Sequence, residues 1–193
     1  MSCTRSLRPA LLDREVSGLV RLSVLVLLLL LPLPSWGQSD ETDVNLVPDR
    51  SVVSFRAYGL GLLPLDGRFT RFDGILRYHL SAGGSCTVSL HVAVGSLTMT
   101  SDTTRAEIVG PDFLDAARFP SLVYDGACEG SALTGRLTMH GVTRSFALDM
   151  NWKKDGVTAS GRLYRADWGM TARPLLGGST VRITVSVPLA VRP

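Results

Sequence analysis

The sequence predicts an all-β domain of antiparallel strands, either a sandwich or a closed barrel, with one short helical insertion. Apolar and polar side chains alternate with a period of two from Asn45 onward, which is typical of strands with one buried face. Gly, Pro and Asp interrupt the alternation at regular intervals, as turn residues do. The alternation stops over residues 96–119, where Asp102 or Thr103 can cap a helical turn that runs through Ile108.

Each strand is predicted from a run of alternating residues that ends at turn residues. In the clearest run, residues 86–94, four apolar side chains share one face and His91 lies on the other. The Asp73-Gly74 dipeptide is a strong turn signal and divides the stretch 65–80 into two short strands. The other predicted strands are 51–59, 120–128, 132–140, 143–152, 157–169 and 179–191. About eight or nine strands result.

The N-terminal segment has the composition of an export signal. Residues 22–33 are mostly Leu and Val, four arginines precede them, and small residues follow. The apolar run is short for a membrane span. We therefore expect residues 1–37 to be removed as a signal peptide and residues 38–193 to form one exported domain. An uncleaved membrane anchor is the alternative.

The charge of the expected mature chain gives no indication of a nucleic-acid partner. From Gln38 onward the sequence contains 16 Lys and Arg and 15 Asp and Glu residues, and 16 minus 15 leaves a net charge of +1. The sequence pI of 9.0 therefore overstates the basicity of the mature protein, because four arginines lie in the segment expected to be removed. Proteins that bind nucleic acids present an excess of basic residues.

Two cysteines, Cys86 and Cys128, remain in the expected mature chain. Cys86 opens the strand before the helical insertion, and Cys128 closes the strand after it. These positions lie opposite each other if the two strands are antiparallel neighbours. A disulfide bond is therefore expected in an oxidising compartment. Two reduced, buried thiols are the alternative.

The sequence contains no motif of catalysis or metal binding. His79, His91 and His140 lie on separate segments without HExxH or CxxC spacing, and GxSxG is absent. No metal or cofactor is therefore expected. Gly141 can adopt the positive φ of a tight hairpin, so His140 is interpreted as the corner of a hairpin rather than as a catalytic base.

Four separated motifs resemble the YceI family in order and spacing. They are DTTRAEIVGPDFLDAARFPSLVYDG, GRLTMHGVTRSFALDM, GRLYRADWGM and STVRITVSVPL. The resemblance implies a lipocalin-like antiparallel barrel of eight strands, whose elongated apolar interior holds polyisoprenoid chains, including quinone-type lipids, in the bacterial periplasm. It also implies no bound metal, no catalytic residues and a frequent homodimer.

A carrier or binding protein for a long-chain apolar lipid, serving transport, storage or sequestration, is therefore the leading functional hypothesis. Each buried CH₂ contributes about 0.8 kcal/mol, so an apolar tunnel can hold a tail of about 40 carbons with few polar contacts. The candidate ligand-binding residues, chosen by alternation within the strands, are Val53, Phe55, Leu90, Val92, Leu137, Met139, Phe146, Leu148, Ile183 and Val185.

Two other classes of protein remain open from the sequence. One is a periplasmic enzyme that uses the barrel cavity for acid/base chemistry on a small apolar substrate, with His140 or His91 as the base. The other is an interaction module for membrane redox complexes that handle quinones.

Overall fold

The computed structural model describes residues 41–59, 62–79, 85–172 and 177–189, which form an antiparallel sheet curled into a barrel-like fold. The predicted signal peptide, residues 1–37, lies outside the described residues. The strands are β1 (Glu41–Asn45), β2 (Val52–Gly59), β3 (Leu63–Phe69), β4 (Phe72–His79), β5 (Cys86–Ala93), β6 (Leu97–Met99), β7 (Ser121–Glu129), β8 (Ala132–Met139), β9 (Val142–Lys153), β10 (Gly156–Tyr164) and β11 (Gly177–Pro188). One α-helix, α1 (Asp102–Val109), follows β6.

The strand pairing runs around the whole fold because two long strands are bent. β3 and β4 are the two halves of one bent strand, and β5 and β6 are the halves of the strand that pairs with it. From β5 the ladder continues through β7, β8, β9, β10, β11 and β2, and β2 pairs with β3. The short strand β1 pairs with β4.

Hydrogen bonds between the two bent strands satisfy backbone polar groups at the bend. The backbone N–H and the hydroxyl of Thr70 both donate to the carbonyl oxygen of Ser96, at 3.2 and 3.0 Å. The hydroxyl oxygen of Ser96 accepts from the backbone N–H of Arg71 at 3.0 Å. The described residues therefore contain eleven strands rather than the predicted eight, because each bend divides one long strand and β1 is added.

The turn predicted at Asp73-Gly74 is wrong. Both residues lie inside β4, where Gly74 is paired with Leu90 of β5. A Cβ atom at Gly74 would overlap the backbone oxygen of Ser89. The glycine therefore permits the close approach of a neighbouring strand, and the chain bends instead at Thr70 and Arg71.

The helical insertion and the strand after it differ in detail from the prediction. The N-cap of α1 is Ser101, not Asp102 or Thr103, and its hydroxyl oxygen accepts from the N–H of Thr104 at 3.2 Å. The strand predicted over 157–169 ends at Tyr164, because Arg165–Trp168 form a 3-10 turn. The short strands β1 and β6 were not predicted.

The disulfide bond between Cys86 and Cys128 is present, as predicted. The two residues are direct partners in the antiparallel ladder of β5 and β7, and their Cα atoms are 4.9 Å apart. The bond joins the strands on either side of the helical insertion at the end of their ladder that lies away from it, whereas the insertion is attached at the other end, where Ala93 pairs with Ser121.

The hairpin between β8 and β9 confirms the interpretation of His140 as a structural corner. His140 and Gly141 have φ angles of 51° and 73°, as the two central residues of a type I′ turn do. The imidazole Nδ1 of His140 lies 3.1 Å from the carbonyl oxygen of Trp168, and the ring packs against Phe119. The side chain thus ties the hairpin to the 3-10 turn after β10.

Candidate ligand cavity

The inner face of the curled sheet surrounds a cavity of about 440 Å³. This volume lies within the range of about 300–1,000 Å³ that is usual for small-molecule sites. The strands alternate across the sheet, so every second side chain of β2, β5, β8, β9 and β11 points into this space. All ten residues predicted as candidates line the cavity: Val53, Phe55, Leu90, Val92, Leu137, Met139, Phe146, Leu148, Ile183 and Val185. That they contact a ligand stays a prediction.

Aromatic side chains make part of the wall rigid. The ring of Phe146 stands edge-on to the ring of Tyr124 on one side and to that of Trp168 on the other, with centroid separations of 6.4 and 6.0 Å. The indole N–H of Trp168 donates to the carbonyl oxygen of Leu137 at 3.2 Å. The wall near β8 and β9 is therefore held in one arrangement by ring contacts and a hydrogen bond.

Tyr124 contributes a hydroxyl group to an otherwise apolar region. Its hydroxyl lies 3.2 Å from the carbonyl oxygen of Phe146 and 3.4 Å from that of Leu133, and it donates to one of them. Burial raises the pKa of the Tyr124 phenol to about 12, because the phenolate is poorly solvated there. The hydroxyl is therefore neutral at physiological pH and serves as a hydrogen-bond donor.

The helical insertion covers one end of the cavity. Thr104, Glu107 and Ile108 of α1 line the cavity there, together with Phe113 from the turn that follows the helix. Met170, which follows the 3-10 turn, lines the cavity as well. We call this the α1 end.

Arg165 is a buried charge at the α1 end. Its side chain lines the cavity, its Nε donates to the carbonyl oxygen of Gly178 at 3.1 Å, and its Nη1 donates to that of Met170 at 2.6 Å. The guanidinium also lies 5.3 Å from the centre of the Phe113 ring. Desolvation by burial lowers the pKa of Arg165 from its usual value. Arg165 thus joins the 3-10 turn, the start of β11 and the insertion.

The charged side chains described in the cavity wall lie at the α1 end. Among the described residues that line it, the formally charged ones are Glu107 and Arg165. The two histidines considered as catalytic bases are elsewhere: His91 is exposed on the opposite face of β5 from Leu90, and His140 packs against Phe119. In the part of the chain that the structure describes, no group of three His, Cys, Asp or Glu side chains is arranged to hold a metal ion.

Sequence reasoning missed Tyr124, Arg165 and the residues of α1. A signal for the first two was present, because alternation places Tyr124 on the same face of β7 as Cys128, and Arg165 on the same face as Leu163. A charged residue on an otherwise apolar face marks a position of interest. No such signal existed for the helix, whose position over the cavity depends on contacts with distant strands.

An antiparallel barrel-like sheet around one apolar cavity, with its charged groups at one end, defines a lipocalin-like binding protein. A family model described as a YceI-like domain matches residues 45–191, and the chain belongs to this family. The chain is 29% identical over 156 residues to a UPF0312 protein of Enterobacter sp. (strain 638), covering 70% of this chain and 78% of that protein. It is 28% identical over 166 residues to Protein YceI of Salmonella arizonae, covering 76% of this chain and 85% of that protein.

Solved structures share the fold at low sequence identity. BcnA of Burkholderia cenocepacia has a TM-score of 0.61 and 17% identity, over 72% of this chain and 96% of that chain. A polyisoprenoid binding domain from Saccharophagus degradans, implicated in plant cell wall breakdown, has a TM-score of 0.52 and 13% identity, over 79% and 100%. The predicted family and fold class are thereby confirmed.

Within the described residues, no helix is long and apolar enough to cross a membrane.

Proposed function

We propose that this protein binds a long-chain apolar lipid of the isoprenoid class in its cavity, quinone-type lipids included, and transports, stores or sequesters it in the periplasm after export. The observation that carries the proposal is the cavity wall, whose described strand residues are mostly apolar and whose described charged residues, Glu107 and Arg165, lie at the α1 end. Such a wall suits an apolar chain with one polar terminus. Membership of the YceI family and the fold shared with the polyisoprenoid binding domain support the same class of ligand.

The size of the cavity limits how much of the ligand it encloses. We assign a methylene group about 30 Å³, which is the volume that one molecule takes up in liquid water. A cavity of 440 Å³ then holds about 15 carbons. A tail of about 40 carbons therefore does not fit entirely within the cavity as it stands. Burying about 15 CH₂ groups at about 0.8 kcal/mol each still amounts to about 12 kcal/mol before the entropic costs of association.

The ligand is expected to lie with its apolar tail among the strands and its polar terminus near Glu107 and Arg165. The reverse orientation would leave a polar head group among side chains such as Leu133 and Val157, which offer it no hydrogen bond. The α1 end is therefore the proposed entrance and the position of the head group.

The structure offers no observation that favours the enzymatic alternative. Neither His91 nor His140 lines the cavity, so neither is placed to act as a base on a molecule bound there. Family membership also supports a binding protein. The homodimer stays a prediction of the family resemblance, and analytical ultracentrifugation of the exported protein tests it. The interaction with a membrane redox complex stays a separate hypothesis from the sequence.

Native mass spectrometry of protein purified from a periplasmic extract tests the proposal. We expect an adduct with the mass of an isoprenoid lipid, released by organic extraction and absent after delipidation, and a mature chain that begins at Gln38. Recovery of an empty protein that also fails to bind a fluorescent isoprenoid alcohol after delipidation would contradict lipid binding. An N-terminus at Met1 would contradict cleavage without affecting the proposed ligand.

A further inference from the structure

Three arginines lie side by side on the outer surface of the barrel. Arg56 of β2 is paired directly with Arg182 of β11, and Arg182 is paired directly with Arg162 of β10. Their neighbours Phe55, Val181 and Leu163 line the cavity, so the alternation of the strands directs the arginines outward. All three side chains are exposed.

This row belongs to a larger basic surface. Arg68 of β3 and the hydroxyls of Thr98 and Thr184 border the same groove as the arginine row. Of the described residues that border the groove, Asp66 is the acidic one. It accepts hydrogen bonds from Nε and Nη2 of Arg56 at 2.6 and 2.9 Å. Four arginines and one aspartate give the groove a net charge of +3. We call this surface the basic face.

The arginine row is unfavourable for folding on its own. Like charges on directly paired residues of neighbouring strands repel each other and destabilise a sheet. The expected mature chain carries a net charge of only +1, so the basic face is a local concentration of charge and not a reflection of a basic protein. An external anion that fits the row would offset this repulsion.

Exposed apolar side chains adjoin the basic face near the α1 end. Tyr58 follows Arg56 on the same face of β2, and Tyr164 follows Arg162 on the same face of β10, with 46% and 61% of their surfaces exposed. Leu62, which is 84% exposed, lies in the turn between β2 and β3, and its backbone N–H donates to the carbonyl oxygen of Gly59 at 3.1 Å. Tyrosines next to basic residues are common where proteins meet the interface of a membrane.

We propose that the basic face docks this protein onto an anionic phospholipid bilayer, with the α1 end of the cavity directed toward the membrane. The arginines contact lipid phosphates, and Tyr58, Tyr164 and Leu62 enter the interfacial region. Tyr164 directly precedes Arg165, which lines the α1 end, so the docked orientation brings the proposed entrance close to the bilayer. The transfer of lipid in this orientation rests on the proposed function, whereas the docking itself does not.

Co-sedimentation with vesicles tests the docking. The exported protein is expected to bind vesicles of phosphatidylcholine that contain phosphatidylglycerol, and to dissociate from them at high salt. It is expected not to bind vesicles of phosphatidylcholine alone. The double variant Arg162→Gln/Arg182→Gln is expected to bind the anionic vesicles about 30-fold more weakly. The matched control is Lys153→Gln/Lys154→Gln, which removes two exposed charges at the opposite end of β10 and is expected to bind as the wild type does.

Two further measurements separate docking from folding and from lipid binding. The Arg162→Gln/Arg182→Gln variant is expected to unfold at a temperature no lower than the wild type, because a repulsive pair has been removed, and to bind a fluorescent isoprenoid alcohol unchanged. Equal binding of both variants to anionic vesicles would overturn the proposal. The proposal would also be overturned if the wild-type protein bound no vesicles and instead bound an acidic protein through these arginines.

Discussion

The ring of Phe55 on β2 covers the backbone of Gly67, its direct partner on β3. A Cβ atom at Gly67 would lie 2.6 Å from Cζ of that ring and 2.9 Å from Cδ1 of Leu97. Phe55 also lines the cavity and lies 6.2 Å, centroid to centroid, from Phe69. The absence of a side chain at Gly67 therefore sets how far Phe55 extends into the cavity.

The Gly67→Ala variant is expected to lose both stability and capacity for lipid. The new methyl group must displace the Phe55 ring, and overpacking of this kind lowers the free energy of unfolding by about 1–3 kcal/mol. Urea unfolding and titration with a fluorescent isoprenoid alcohol measure the two effects. Gly95→Ala is the control, because a Cβ atom there meets nothing within 4 Å. Equal effects of the two variants would show that Gly67 does not position Phe55.

Substitution of neighbouring residues on β9 distinguishes the inner wall from the outer surface. Leu148 lines the cavity, whereas the adjacent Ala147 is exposed on the other face. Leu148→Trp fills the volume of about two ligand carbons, which removes about 1.6 kcal/mol of burial, and is expected to weaken lipid binding by about 15-fold. Ala147→Trp is expected to bind as the wild type does in the same titration. Equal binding by the two variants would contradict the placement of the ligand in this cavity.

The inner wall could be predicted from sequence because strands have a fixed period of two. Once a strand such as β5 is recognised, Leu90 and Val92 must share a face, and only the choice between inside and outside remains. Apolar character decides that choice. The pairing of Cys86 with Cys128 follows from the same reasoning, because residues equally far before and after an insertion are partners when the strands on either side of it are antiparallel neighbours.

The bends and the α1 end could not be predicted because they depend on contacts between distant segments. Thr70 has no local property of a bend, and its conformation is stabilised by bonds to Ser96 on another strand. The sequence predicts a turn at Gly74 because a glycine that permits close approach to Ser89 looks the same in sequence as one that permits a positive φ. Likewise, Thr104 reaches the cavity only because of where the insertion packs.

Loss of the disulfide bond is expected to lower the free energy of unfolding by about 4 kcal/mol. Cys86 and Cys128 are separated by 42 residues, and opening a loop of this length restores conformational entropy to the unfolded chain. Urea unfolding of the Cys86→Ser/Cys128→Ser variant, compared with the wild type with and without reductant, measures the change. If both thiols of the native exported protein can be alkylated without reduction, the bond does not form and the prediction is wrong.

The buried phenol of Tyr124 is expected to make stability depend on pH above pH 10. Its pKa is raised to about 12 in the folded protein and is about 10 in an unfolded chain. Below pH 10 the phenol is protonated in both the folded and the unfolded state, so the stabilisation that the difference in pKa provides is fully present. Between pH 10 and 12 the unfolded state loses the proton first, so up to about 3 kcal/mol of the free energy of unfolding is lost as pH rises.

Comparing the wild type with the Tyr124→Phe variant isolates this effect, because the other tyrosines contribute equally to the stability of both proteins. At pH 8 the wild type is expected to be more stable by about 1 kcal/mol, which is the contribution of the hydroxyl's hydrogen bond to a neighbouring carbonyl. As pH rises toward 12 the difference is expected to shrink and change sign, since phenylalanine has no proton to lose. Tyr164→Phe, at an exposed position, serves as the control and should track the wild type. A difference between wild type and Tyr124→Phe that stays constant from pH 8 to 12 would show that Tyr124 ionises as readily in the folded protein as in the unfolded chain.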